Sequence, residues 1–109
     1  MTAEDVVVVM VTVGSAPDAE RIGHALVEER LAACVNVVGP IRSIYRWKDV
    51  VEEASEHLLL VKGRAADLGA IEDRVRALHS YEVPEVLALP VRAGSTDYLT
   101  WLGSATDRR

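Results

Sequence analysis

The chain has one cysteine, Cys34, among its 109 residues. That excludes an internal disulfide and suits a reducing, cytoplasmic setting. Half of its residues are apolar, yet no run approaches the ~20 needed to cross a bilayer, so no membrane partner is expected. Basic excess is also lacking: the net charge is −5, against the positive footprint that nucleic-acid binding needs. The first apolar stretch, Val6 to Val13, has an acidic flank and no small-residue cleavage site. It reads as a strand rather than a signal peptide. No CxxC, HxH or HExxH spacing occurs, so the sequence signal for metal is weak. Gly14-Ser15 stands where a phosphate-binding turn would, without the glycine spacing of either nucleotide fingerprint. No nucleophile is tied to a base by a recognisable motif, so an enzyme is not expected. Repeats, low-complexity tracts and linkers are absent, which leaves a single domain over residues 1–109.

What is present is a clear order of elements. Val6 to Val13 is β-branched almost throughout, as in a strand buried on both faces. Ser15, Pro17 and Asp18 then open a helix as cap, first-turn proline and first-turn acid. Its apolar stripe is Ala19, Ile22, Leu26 and Ala33. Cys34 to Val38 is a second strand, interrupted at Gly39-Pro40, where a bulge or bend is expected, and resumed from Ile41 to Lys48. After a turn near Asp49, Val51 to Lys62 forms the third strand. Leu68, Ile71, Val75 and Leu78 fall on one face of a second helix. Val86 to Val91 is the fourth strand, and Ser95 caps a closing helix. The order β-α-β-β-α-β with a C-terminal helix is an α+β, ferredoxin-like sandwich.

The middle hairpin is too long for such a body. Residues 35–48 would span roughly 45 Å at ~3.3 Å per residue, whereas a domain of this size is only about 30–35 Å across. The hairpin must bend at Gly39-Pro40, project, or both. Projection would expose Ile44, Tyr45, Trp47 and Val50 and leave an open edge, which predicts an oligomer.

Two stretches carry most of the chemistry. In Ile41 to Lys48, Tyr45 and Trp47 share one face of the strand, and Arg46 and Lys48 the other. In His79-Ser80-Tyr81-Glu82-Val83-Pro84-Glu85 an imidazole, a phenol and two carboxylates follow the end of a helix. Tyr81, Glu82 and Glu85 fit either a ligand cleft or a subunit joint, and clefts between subunits are themselves made from joints. Tyr45, Arg46, Trp47 and Lys48 fit interface anchors, with Arg46 or Lys48 facing a neighbour's Glu82 or Glu85. His79 fits a metal or ligand contact, or a polar residue at the negative end of a helix. His24 and His57 read as surface residues, and Cys34 as a small buried apolar group.

Together, Glu29 to Asn36, Ile41 to Lys48, Tyr81 to Glu85 and Tyr98 to Leu102 resemble blocks of the CutA divalent-cation-tolerance family, in the family's order. The resemblance spans about residues 6–102, leaving short flexible ends. It implies a tight homotrimer, similar in architecture to the PII signalling proteins, and a role in tolerance of copper and other divalent ions. It implies no enzyme activity. The copper ligands proposed for bacterial relatives are a cysteine in the first strand and a His-His pair before the signature tyrosine. Of these only the second histidine has a counterpart, His79; Leu78 holds the first position, and the first strand has no cysteine. The expectation is therefore a cytoplasmic trimer with no certain cofactor, holding copper(II) or another divalent cation weakly between subunits. The alternative is a PII-like signalling or scaffold trimer that binds a small molecule or protein without metal.

Overall fold

The computed structural model describes residues 1–109. The β-branched run forms β1 (Val6–Val13) and leads through Gly14 into α1 (Ala16–Glu28). The Ser15 hydroxyl accepts a hydrogen bond from the Asp18 amide, 3.3 Å, and so caps the helix as expected. Two long strands follow, β2 (Cys34–Trp47) and β3 (Val50–Arg64). Then come α2 (Leu68–Leu78), β4 (Leu87–Pro90) and α3 (Thr96–Ala105), the last capped by the Ser95 hydroxyl. All strand pairs are antiparallel, in the order β2-β3-β1-β4. That is the ferredoxin-like arrangement.

The core lies between the sheet and the first two helices. Val7, Val9, Val11 and Val13 alternate onto one face and meet Ile22 and Leu26 of α1, Leu59 and Val61 of β3, and Ile71 and Val75 of α2. Each large aliphatic side chain in this layer stabilises the fold by about 1.5–3 kcal/mol. The opposite face is different. Val8, Met10 and Thr12 are only half-buried, so β1 is not covered on both faces within one chain as its sequence suggests. Its unbroken apolar run reflects an outer face that is apolar but open, continued by Val38, Leu87 and Leu89. Ala33 lies beyond α1 rather than in its stripe. It joins Val6, Leu99 and Leu102 in a second small cluster under α3.

The hairpin both bends and projects. The register shifts between Val38 and Ile41 at a cis Gly39-Pro40 bond, and the molecule measures 44 × 25 × 22 Å. A Cβ on Gly39 would sit 2.6 Å from the His57 ring, so the bulge accepts glycine there. His57 is consequently no surface residue: its ring packs on the bulge and Nδ1 is buried without a partner. At the tip Lys48 and Asp49 both have positive φ, 50° and 65°, as a two-residue hairpin turn requires. Lys48 therefore leaves the strand instead of sharing a face with Arg46, and its ammonium lies 5.8 Å over the Trp47 ring.

Both ends carry hydrogen bonds. Thr2 and Asp5 form a reciprocal cap on a single helical turn. The Arg108 guanidinium donates to both oxygens of Asp67, at 2.8 and 2.9 Å.

Candidate functional site

At the base of the hairpin, the loop after α2 turns back toward the sheet. The His79 amide donates to the Val75 carbonyl and closes the helix, 2.8 Å. Its ring then sits between two backbone groups: Nε2 is 2.7 Å from the Thr12 carbonyl, and Nδ1 is 3.0 Å from the Tyr81 amide nitrogen. A carbonyl can only accept and an amide N–H can only donate. The ring is therefore the neutral Nε2–H tautomer, with its one lone pair already used. His79 acts as a clasp that sets where Tyr81 begins.

Tyr81 lies against the His79 ring, with centroids 4.6 Å apart. Its hydroxyl donates to Glu56 Oε2 at 2.8 Å. Gly14 makes this possible, because a Cβ there would stand 3.0 Å from the phenolic oxygen. The glycine between β1 and α1 thus admits a tyrosine, which gives it a role without any phosphate. Glu56 is only 6% exposed. It stands opposite Ile41, immediately after the bulge.

Around this pair opens a cleft of about 780 Å³, walled by Tyr45 and Trp47 of β2, Glu56 of β3, and Tyr81, Glu82 and Glu85 of the loop, with Ile44, Val83 and Pro84 as apolar walls. No lysine, arginine or histidine lines it. Titrations respond accordingly. Burial, then the hydrogen bond to Glu56, pushes the Tyr81 phenol up to about 12. Burial, then the charge of Glu56, raises Glu85. Partial burial, with Glu52 and Glu56 nearby, raises the Tyr45 phenol. Each neutral form is favoured because burial and nearby carboxylates both oppose a further negative charge.

A raised phenol stabilises the fold only while it is protonated. Its contribution is complete below the unfolded value near 10 and is lost as pH rises through about 12. Stability should therefore fall between pH 10 and 12, and Tyr81→Phe should flatten that fall. Phenolate absorbance should show the late-ionising tyrosine in the parent and lose it in the variant; the same late step in both would refute the assignment.

The structure thus gathers Tyr45, Trp47, Tyr81, Glu82 and Glu85 of the residues singled out by sequence. It leaves out His79, Arg46 and Lys48. Arg46 instead donates to the Asp49 carbonyl at the hairpin turn, 3.2 Å. Sequence reasoning missed Glu56, which reads as one more acid in Glu52, Glu53 and Glu56 on an exposed ribbon. No local signal separates it from the others. As for metal, no three His, Cys, Asp or Glu side chains converge where they could hold an ion. Within one chain these donors do not fit a tight copper site, which takes two to four N or S ligands.

Comparison with known proteins gives a consistent picture. A family model described as CutA1 divalent ion tolerance protein matches residues 7–105. The divalent-cation tolerance protein CutA of Thermus thermophilus is 52% identical over 99 residues, covering 91% of this chain and 96% of that protein. Human Protein CutA is 48% identical over 89 residues; the match covers 82% of this chain and 50% of the human protein, so the chain spans about half the length of that relative. Among solved structures, the Thermus thermophilus protein superposes with a TM-score of 0.91 at 50% identity, covering 94% of this chain and 99% of that one. CutA1 from Oryza sativa gives 0.92 at 41% identity, with 96% of each chain covered.

Proposed function

Because this chain belongs to the CutA1 divalent ion tolerance family, we propose that it acts as a non-enzymatic homotrimer that captures a ligand in the cleft around Tyr81 and Glu56. The observation that carries this reading is where the cleft lies. Its walls come from the projecting hairpin and the loop after α2. Exposed apolar side chains crowd the hairpin and the open sheet face, among them Ile44 at 65% and Leu87 at 59% exposed. Surface of this kind calls for a partner, and a second and third copy would cover it while closing the cleft. Arg46 or Lys48 of one subunit against Glu82 or Glu85 of the next would fix the register of the joint.

Tolerance of divalent cations then follows from what the trimer senses or carries rather than from a metal cage of its own. Copper(II) contact at His79 belongs to this reading only as a weak event, since the ion must first displace the Thr12 or Tyr81 hydrogen bond. We also place the protein in the cytoplasm, on its lone free cysteine.

Native mass spectrometry during titration with Cu(II), and with Zn(II) for comparison, tests both halves. The expected result is a trimer that stays essentially metal-free up to one equivalent of copper, with His79→Ala no different. A monomer would sink the assembly. One copper per subunit, lost in His79→Ala, would replace the ligand-cleft reading with a metal site.

A further inference from the structure

We propose that the cleft takes an organic ammonium ion with an apolar body, its charge held by Glu56 and its body packed against Tyr45, Trp47 and Tyr81. The inference rests on the reading of this cleft as a capture site and adds the chemical class of what it captures.

Four observations point to that class. The first is Glu56 itself. This carboxylate is more than nine-tenths buried, and its Oε2 is engaged by the Tyr81 hydroxyl. Oε1 has no hydrogen-bond partner in the chain and is not sealed off in the interior, and Glu56 is one of the residues that line the cleft. A mostly buried carboxylate with one free oxygen gains from a charged donor that meets that oxygen. The second is the company it keeps. Three acids and three aromatic rings line the cleft, no basic side chain of the same chain lines it, and a neighbour's Arg46 or Lys48 paired with Glu82 or Glu85 would still leave Glu56 without a counter-ion. Ring faces attract cations, organic ammonium ions above all.

The third observation separates an organic cation from a metal ion. The acids are spread over a cleft of about 780 Å³, and no three of them converge. That spacing suits a ligand with a body rather than a bare ion, which needs close convergent oxygens. The fourth is the apolar part of the wall, Ile44, Val83 and Pro84, which would be wasted on a fully hydrated ion. The raised Tyr81 and Glu85 agree, since a cleft that resists further negative charge favours a positive guest.

Isothermal titration calorimetry on the full chain would use phenethylammonium, 3-phenylpropionate and 2-phenylethanol, three probes that share a ring and differ in charge. Phenethylammonium should bind and the other two should not. Glu56→Gln keeps an acceptor for the Tyr81 hydroxyl and loses the charge, so it should weaken binding roughly ten- to a hundredfold. Glu85→Gln, at a half-buried position, should weaken it less and serves if the first variant fails to fold. Equal binding of all three probes, or undiminished binding in both variants, would overturn the proposal. Fluorescence of Trp47 in a Trp101→Phe background tells the two levels apart. Quenching by the neutral or anionic probe, without preference for the cation, refutes the ammonium class and leaves the capture site standing. No quenching by any probe refutes both.

Discussion

Gly63→Ala should lower the unfolding free energy by about 2–4 kcal/mol, seen as an earlier urea midpoint with an unchanged slope. The reason is a backbone, not a side chain. A Cβ at residue 63 would stand 2.7 Å from the Leu31 carbonyl oxygen and 3.1 Å from Ile71 Cδ1. Leu31 cannot retreat easily. Its amide and that of Ala32 both donate to the Leu26 carbonyl, and the Ala33 amide donates to the Lys62 carbonyl at 2.8 Å. Those bonds clamp the α1–β2 connection onto β3. Ile71 is fully buried and has no free volume to move into. Gly69→Ala is the control: a Cβ there meets nothing within 4 Å, and α2 gains a better helix former. It should stabilise by about 0.5–1 kcal/mol or less. Both variants belong at one protein concentration, because the proposed assembly would add to apparent stability. A Gly63→Ala protein as stable as its parent would mean that the connection is looser than its hydrogen bonds indicate.

The contrast between those two glycines shows which parts of this protein are legible in its sequence. Helix stripes and caps are local, and they were readable: Ile71 and Val75 are buried four residues apart, and Ser15 and Ser95 accept from the amides three residues on. The bulge at Gly39-Pro40 was readable because proline has no N–H to give a ladder. Gly63 is different. Nothing in Val61-Lys62-Gly63-Arg64 says that a carbonyl from residue 31 passes overhead. Lys48 misled for a related reason. Alternation assigns it to the face of Arg46, but the chain has already entered a left-handed turn at that residue.

The site divides along the same line. Tyr81, Glu82 and Glu85 stand together in sequence beside a proline, and Tyr45 and Trp47 alternate, so each half of the cleft could be seen alone. Their meeting depends on the hairpin folding back by an amount set at the bulge. Glu56 lies 25 residues from the tyrosine it binds. The one extra residue at Gly39-Pro40 decides which side chains of β2, Tyr45 and Trp47 among them, share the face of Glu56 on β3, because side chains alternate with period two. His79 shows the converse. Its residue type invited a metal, while its two backbone partners, one of them 67 residues away, make it a positioning group.

Tyr81→Phe should cost about 1.5–3 kcal/mol, because it strips the only protein donor from a carboxylate that is 6% exposed. Glu56→Leu alone should cost less, about 1 kcal/mol, since it orphans a neutral hydroxyl rather than a carboxylate. The double variant Tyr81→Phe/Glu56→Leu should cost well below the sum of the two and stay close to the parent, because neither polar group then remains to be left unpaired. The charge of Glu56 also reaches Glu85, so Glu56→Leu should bring the Glu85 carboxyl back toward its ordinary range, which side-chain NMR can follow. A contact that owed nothing to charge would also make the costs non-additive but would leave Glu85 unmoved, whereas additive costs would mean that Tyr81 and Glu56 do not interact. Coupling with a shifted Glu85 would establish Glu56 as the charge that organises the cleft. On that charge depend the late ionisation of Tyr81 and the preference for a cationic guest. Additivity would leave the cleft an apolar recess with acids at its edge.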